Sequence, residues 1–228
     1  MIPIPISEGN LETILPATVR LIHQLQFFVA ENARTARRFI SSTNPPYALQ
    51  DVQVLELDKH NPVNPETLLL PLLEGKDIGV MSEAGCPGIA DPGTELALWA
   101  HNNGIGVIPH VGPSSIILAL MSSGLNGQCF TFHGYLSSKR DKLKQDLKRI
   151  EAESRKHQCT QIFIEAPYRN RQVLEIALET LQRSTLFSIA SNLTSEDEYV
   201  QTASIEQWRK VVLPELHKKA TIFLLHGR

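Results

Sequence analysis

The chain has 228 residues, 42% of them hydrophobic and 20% charged, with a formal net charge of -2. This composition is typical of a globular protein and excludes one that binds naked nucleic acid through a strong positive charge. The longest apolar stretches, such as Ile116–Met121, are much shorter than the roughly 20 residues of a membrane-spanning helix. Since the N-terminus also has no signal-peptide pattern, we expect a cytoplasmic protein without a membrane anchor.

The cysteines and histidines are scattered. The three cysteines, Cys86, Cys129 and Cys159, lie far apart in the sequence, and the eight histidines have no metal-ligand spacing. This pattern predicts free thiols in a reducing compartment and argues against a disulfide framework or a metal site.

Short β-branched runs alternate with amphipathic segments in the first half of the chain, which predicts an α/β fold. The predicted strands are Ile2–Ile6, Phe27–Glu31, Val52–Leu57, Asp77–Met81 and Gly106–Ile108. The predicted helices are Pro16–Leu25, Arg34–Ile40, Pro65–Leu73, Pro92–Asn102 and Ser115–Met121. Asp91 is placed to cap the helix that begins at Pro92.

The second half continues the same alternation. Its predicted strands are Cys129–His133, Gln161–Glu165, Leu186–Ala190 and Ala220–Leu225, and its predicted helices are Lys139–Lys156, Tyr168–Arg183 and a last one through Leu213. Ser204 and Gln207 form a capping box at the start of that last helix. The interleaved charges of Lys139–Lys156 favour a solvated helix face over an RNA-binding helix. We place the two domains at residues 1–124 and 125–228.

Glycine-rich or small-residue loops follow several predicted strands. They are Ser7–Asn10, Ser82–Gly93, Val111–Ser115 and Asn192–Thr194. Ligands of open α/β sheets lie at the carboxyl ends of strands, where such loops bring bare backbone close to them. The chain has neither a Gly-x-Gly-x-x-Gly fingerprint nor a phosphate loop, so a dinucleotide or nucleoside triphosphate is not the expected ligand. It also lacks a nucleophile elbow, which argues against a hydrolase.

The segment Ser82–Gly93 reads Ser-Glu-Ala-Gly-Cys-Pro-Gly-Ile-Ala-Asp-Pro-Gly. It is similar to the loop Ser-Asp-Ala-Gly-Thr-Pro-x-Ile-Ser-Asp-Pro-Gly of the tetrapyrrole methylase superfamily. Further motifs resemble that superfamily in order: Gly9–Glu12, Ala30–Arg37, Gly112–Ser114, Ser123–Leu125, Phe132–Leu136, Glu165–Arg169 and Leu193–Thr194. The chain resembles most closely the branch of ribosomal RNA small subunit methyltransferase I, as a short and divergent member.

The resemblance implies two α/β domains that form a homodimer and bind S-adenosylmethionine in a cleft between the domains. It implies a methyltransferase, without metal, that modifies the ribose 2′-hydroxyl of a cytidine in small-subunit ribosomal RNA. Carried over position by position, the cofactor contacts fall on Glu8, Ala84, Gly85, Cys86, Ile89, Ser114, Ser115, Glu165, Ala166 and Leu193.

The motifs leave the identity of the methyl acceptor open. Glu31, Arg34 and Arg37 lie in the segment that resembles Ala-Glu-Asp-Thr-Arg-x-Thr-Arg, and they are candidates for proton transfer and acceptor binding. The segment Ser191–Ser195 reads Ser-Asn-Leu-Thr-Ser where the RNA branch has Arg-Glu-Leu-Thr-Lys, and the loss of two basic residues weakens phosphate contacts. A methylase of a tetrapyrrole or another small molecule, and a catalytically silent module that binds S-adenosylmethionine, therefore stay open as alternatives.

Overall fold

The computed structural model of the protein describes residues 1–57, 68–91 and 93–228. These residues divide into two compact units, Met1–Ser114 and Ser115–Arg228. The sequence placed the boundary after residue 124, one helix later. The helix concerned, Ser115–Ser123, packs on the sheet of the second unit and is described with it.

The first unit is built on a parallel sheet with strand order β2-β1-β3. Its elements in chain order are α1 (Pro16–Ile22), β1 (Phe27–Ala30), α2 (Ala33–Ser42), β2 (Gln53–Glu56), α3 (Leu70–Leu73), β3 (Ile78–Met81) and α4 (Gly93–Asn102). Phe28 of the central strand pairs with Val54 on one side and Gly79 on the other. In a parallel sheet all strands end at the same edge, so the loops that follow β1 and β3 lie side by side.

The predicted strand Ile2–Ile6 is present only as two isolated bridges. Ile2 pairs with Met81, and Ile4 pairs with Gly85. Pro3 and Pro5 have no backbone N–H, so only the isoleucines that alternate with them can donate to a neighbour. Accordingly, the Ile2 amide donates to Val80 O at 2.8 Å and the Ile4 amide donates to Gly85 O at 2.9 Å.

The prediction of a strand at Gly106–Ile108 is wrong. Residues 105–110 are extended without strand pairing. Because the N-terminal segment bridges to β3, this stretch contacts the chain terminus, whose ammonium group donates to Ile108 O at 2.9 Å. Of the predicted helix Pro65–Leu73, the part up to residue 67 lies outside the described residues, as does Pro92.

The second unit is a mixed five-stranded sheet with strand order β4-β5-β8-β6-β7. Its elements are α5 (Ser115–Ser123), β4 (Phe130–Tyr135), α6 (Arg140–His157), β5 (Thr160–Ile164), α7 (Asn170–Thr180), β6 (Leu186–Ser191), β7 (Tyr199–Ser204), α8 (Ile205–Trp208) and β8 (Thr221–His226). Strands β4 and β5 are parallel, whereas β8 is antiparallel to both of its neighbours and β7 is antiparallel to β6.

Alternating side chains of the central strands form two cores, one on each face of this sheet. On β8, Phe223 and Leu225 pack with α6 and α7, while Ile222 and Leu224 pack with α5. Phe163, Phe187 and Phe223 stack on the first face, with ring centroids 5.4 Å apart for the Phe163–Phe223 pair. This period of two explains why nearly continuous apolar runs form buried strands.

Two predicted elements of this unit differ from the structure. The capping box at Ser204 and Gln207 is confirmed, but α8 ends at Trp208 instead of Leu213. Strand β7, which was not predicted, pairs along all six residues with β6. Its outer position lets it carry half-exposed polar residues that do not resemble a buried strand. Among the described residues, no helix is long and apolar enough to cross a membrane.

Candidate functional site

The loop Ser82–Asp91 follows β3 at the carboxyl edge of the first sheet. Its backbone is bound to the N-terminal segment, because Gly85 and Ile4 exchange two backbone hydrogen bonds of 2.9 and 3.1 Å. Ser82 is buried, and its hydroxyl lies 3.2 Å from the carbonyl oxygens of Ala84 and Gly85. Gly85 and Gly88 have φ values of 75° and 83°, which favour glycine. The loop is therefore a fixed turn that a side chain at either glycine would strain.

A second contact binds this loop to the segment before residue 114. The Cys86 thiol donates to Pro113 O, with an S···O distance of 3.3 Å. Burial, and then the nearby Asp91 carboxylate, raise the pKa of the Cys86 thiol. Gly112 lies against Pro3, and a Cβ built on this glycine would lie 2.1 Å from the Pro3 Cβ. The N-terminal segment, the loop Ser82–Asp91 and the segment around Gly112 are thus packed together.

Asp91 closes the loop and caps the helix that follows it. Its Oδ1 accepts hydrogen bonds from the backbone amides of Gly88 at 2.6 Å and Gly93 at 3.0 Å. The predicted capping role is confirmed by the Gly93 contact. The Gly88 contact, which the sequence spacing alone did not predict, fixes the turn between Gly88 and Asp91. The side chains of Ala84 and Ile89 are left exposed on this closed loop.

A pocket of about 360 Å³ lies beside these segments. It is lined by the turn around Glu8, by one face of α2 and by Glu83. The α2 residues that line it are Thr35, Arg38, Phe39 and Ser42. Their spacing of three and four residues is that of one helix face. At its mouth the Glu8 carboxylate lies 2.6 Å from the Arg38 guanidinium, and both side chains are largely exposed.

The predicted acceptor-side residues lie near this pocket without lining it. Glu31 follows the end of β1, and Asn32 caps α2 by accepting a hydrogen bond from the Thr35 amide at 3.0 Å. Arg34 is exposed, and the Arg37 guanidinium donates to Leu49 O at 3.4 Å. Sequence analysis missed Arg38. The helical spacing of Thr35, Arg38 and Ser42, which places them on one face of α2, could have found it.

In the second unit, the predicted residues of β5 and β6 lie at one sheet edge. Glu165 follows β5 and is buried, and its carboxylate accepts a hydrogen bond from the Ala166 amide at 2.8 Å. Its second oxygen lies 3.5 Å from Arg169, which donates to Ser138 O. The Glu165 side chain is thereby held by its own unit.

The loop after β6 adjoins the start of β8, where the Asn192 amide donates to Ala220 O at 2.8 Å. Asn192 and Thr194 have positive φ values of 48° and 69°, a conformation that is rare for a β-branched residue such as threonine. Leu193 is buried in the core, so its backbone and not its side chain can face a ligand.

Asp197 holds this loop. Its carboxylate accepts hydrogen bonds from Ser195 at 2.7 Å and Asn192 at 2.9 Å, and it lies 3.2 Å from Lys219. These contacts, the Ser195 hydrogen bond first, lower the pKa of Asp197 from 3.8 to about 2. The loop therefore keeps an ionised carboxylate at its base.

Asn170 was also missed by sequence analysis. It is fully buried at the start of α7, and its side-chain amide donates to Lys219 O at 2.7 Å and lies 3.1 Å from the Thr221 hydroxyl. It thus connects the Glu165–Arg169 motif to the start of β8. Among the described residues, no group of three or more acidic, histidine or cysteine side chains could hold a metal ion. Ser114 ends the first unit, and Ser115 begins α5 of the second.

The sequence is similar to those of curated proteins named ribosomal RNA small subunit methyltransferase I. The one from Escherichia coli O157:H7 is 32% identical over 206 residues, which cover 90% of this chain and 68% of that protein. The chain belongs to this methyltransferase family. The one from Vibrio cholerae is 29% identical over 230 residues, with coverage of 100% and 76%, and the one from Synechocystis is 32% identical over 190 residues, with coverage of 83% and 65%.

The fold of this methyltransferase matches the crystal structure of the methyltransferase CobJ. The TM-score is 0.61 at 18% sequence identity, and the match covers 96% of this chain and 90% of CobJ. The predicted tetrapyrrole methylase fold is thereby confirmed. No protein-family profile matches the sequence. The chain spans about two thirds to three quarters of the length of these three curated relatives.

Proposed function

We propose that this chain transfers the methyl group of S-adenosylmethionine to small-subunit ribosomal RNA, at the ribose 2′-hydroxyl of a cytidine. The names of its relatives support the substrate class. The resemblance of its motifs to the RNA branch supports the acceptor atom. The observation that carries the proposal is that the N-terminal segment, the loop Ser82–Asp91 and the segment around Gly112 are bound together beside a pocket on α2 that has charged side chains in its lining.

The residues of the first unit fit S-adenosylmethionine. The loop Ser82–Asp91 contains no Lys or Arg, so it suits a nucleoside without phosphate groups. Its glycines with positive φ and its exposed Ala84 and Ile89 leave backbone groups and small apolar side chains for such a ligand. When bound, the cofactor supplies a methyl group on an activated sulfonium. We propose that Glu8, Ala84, Gly85, Cys86, Ile89 and Ser114 hold it.

The α2 pocket fits an acceptor nucleoside. Its volume of about 360 Å³ lies in the range of roughly 300–1,000 Å³ that is common for small-ligand pockets. The carboxylate of Glu83 can accept a hydrogen bond from the exocyclic amine of a cytosine base. A guanidinium such as that of Arg38 is suited to a backbone phosphate. The lining mixes apolar side chains with the charged groups of Glu8, Arg38 and Glu83, and these charges favour a nucleotide over the large apolar acceptor that a tetrapyrrole methylase would bind.

The chain's own task is to orient the acceptor, exclude water and accept one proton from the hydroxyl. Glu31 lies at the carboxyl end of β1, close in sequence to the pocket face of α2, and we keep it as the candidate base. Arg34 and Arg37 stay candidates for acceptor binding. Arg38 joins them because it is the arginine of α2 that lines the pocket.

A homodimer and a cytoplasmic location complete the proposal, because both follow from the resemblance to the RNA branch. Light scattering on the purified protein measures its mass in solution and thereby tests the homodimer. A mass of one chain under assay conditions would contradict it.

Transfer of labelled methyl groups tests the proposed function. The chain is incubated with labelled S-adenosylmethionine and with small ribosomal subunits from a strain that lacks this protein, and the RNA is digested to nucleosides. We expect the label in 2′-O-methylcytidine. Label in a small-molecule extract alone would favour a small-molecule methylase. Cofactor binding without label in any acceptor would favour a silent binding module.

A further inference from the structure

Two of the three cysteines meet on neighbouring strands of the second unit. Cys129 directly precedes β4 and Cys159 directly precedes β5, and the first residues of these parallel strands, Phe130 and Thr160, are register partners. The ladder extends back to the cysteines, because the Thr160 amide donates to Cys129 O at 2.8 Å. Cys129 and Cys159 are therefore direct neighbours on adjacent strands, and their side chains lie on the same face of the sheet.

The distances agree with this register. Thr131, two residues after Cys129 and thus on the same face, has its hydroxyl 3.8 Å from the Cys159 sulfur. Cys129 and Cys159 also line one groove with Arg149 and Lys156 of α6. Neighbouring strands lie about 4.7–4.9 Å apart, within the Cα separation of about 4.4–6.8 Å that a disulfide requires.

Both cysteines are fixed by hydrogen bonds of their backbone. The Asn126 side chain accepts from the Cys129 amide at 3.3 Å and donates to Gln158 O at 2.7 Å, so it connects the two strand starts. The Cys159 carbonyl accepts from the Ser154 hydroxyl at 2.7 Å. The backbone of both cysteines is therefore held in the register of the two strands.

The two thiols differ in access. Cys129 is exposed, whereas Cys159 is only 5% exposed. A hydrogen bond with Cys159 raises the pKa of the Cys129 thiol. An oxidant can thus reach Cys129, and Cys159 is the neighbour that can resolve the product.

We propose that Cys129 and Cys159 form a reversible disulfide, a redox modification site distinct from the methyl-transfer residues. The Cys129 sulfur attacks a low-molecular-weight disulfide such as oxidised glutathione, breaks its S–S bond and releases one thiol. The Cys159 sulfur then attacks the Cys129 sulfur of the mixed disulfide and expels the second thiol. Two cysteine thiols are oxidised, one glutathione disulfide is reduced to two thiols, and these thiols take up both protons.

The test treats the native, folded chain with oxidised glutathione, blocks the remaining thiols and maps the peptides by mass spectrometry. The free-thiol count should fall from the three of the reduced chain to one, with a Cys129–Cys159 cross-linked peptide that dithiothreitol cleaves. A glutathione adduct that persists on Cys129 in the wild type, or a disulfide that contains Cys86, would overturn the proposal.

Single variants separate the two roles. In Cys159→Ser the glutathione adduct should persist on Cys129, because no resolving thiol is left. In Cys129→Ser the buried Cys159 should stay unmodified. Cys86→Ser is the matched control, because it removes a thiol of the first unit and should leave the cross-link intact. Circular dichroism verifies that each variant is folded, and equal adduct formation in all three variants would contradict the assigned roles.

Discussion

Gly112 offers the sharpest test of how the N-terminal segment packs against the segment around Gly112 in the first unit. A Cβ at this position would lie 2.1 Å from the Pro3 Cβ and 2.2 Å from the Pro3 Cγ. Pro3 cannot withdraw easily, because hydrogen bonds of Ile2 to Val80 and of Ile4 to Gly85 hold the residues on both sides of it. Gly112→Ala must therefore displace either the N-terminal segment or the segment around Gly112 itself.

The size of the effect follows from this geometry. Overpacking in a well-packed region costs about 1–3 kcal/mol, and we expect the free energy of unfolding to fall by that amount. Gly106→Ala is the matched control in the same unit, because its Cβ would meet no atom within 4 Å and its φ is not positive. There an alanine should leave stability unchanged or raise it by about 0.4–1 kcal/mol, through the unfolded state.

Urea unfolding and titration with S-adenosylhomocysteine measure both consequences. Gly112→Ala should lower the urea midpoint and also weaken ligand binding, since the Cys86 thiol binds the carbonyl oxygen of the next residue, Pro113. Gly106→Ala should do neither. Equal stability of the two variants, within about 0.5 kcal/mol, would refute the packing argument.

The other predictions concern the acceptor and pH. Arg38→Ala should lower kcat/KM for small ribosomal subunits about tenfold or more and change stability by less than about 1 kcal/mol, because its ion pair with Glu8 is exposed. Arg34→Ala, a change on the same helix outside the pocket, should have the smaller effect, and the reverse order would exclude the α2 pocket. Folding lowers the pKa of Asp197 from 3.8 to about 2. The ionised carboxylate therefore contributes its full stabilisation above pH 3.8, and this stabilisation is lost as the pH falls to about 2. Unfolding of Asp197→Asn between pH 5 and 2 should therefore depend less on pH than that of the wild type, and an unchanged slope would contradict the shift.

The alternation of strands and helices was predictable because each element carries its own period of apolar residues. The caps at Asp91 and Ser204 were predictable because a cap depends on residues only two or three positions away in the sequence. The strand predicted at Gly106–Ile108 failed because its neighbour, the chain terminus, is remote in sequence. No local pattern reports that contact.

The candidate site shows the same limit. Motif resemblance indicated the loop around Gly85, but the pocket depends on which face of α2 meets the turn at Glu8. Packing determines which face of α2 this is. It places Arg38 in the pocket lining, whereas the motif indicated Arg34 and Arg37. The pairing of Cys129 with Cys159 likewise requires the register of two parallel strands, which their distance in the sequence concealed.

Calorimetric titration of the purified chain with S-adenosylhomocysteine, beside ATP and NAD as controls, tests the central claim most directly. The account predicts micromolar binding of S-adenosylhomocysteine with one site per chain, and no heat from ATP or NAD. Heat from ATP or NAD, with none from S-adenosylhomocysteine, would contradict the assignment of a methyltransferase cofactor to these loops.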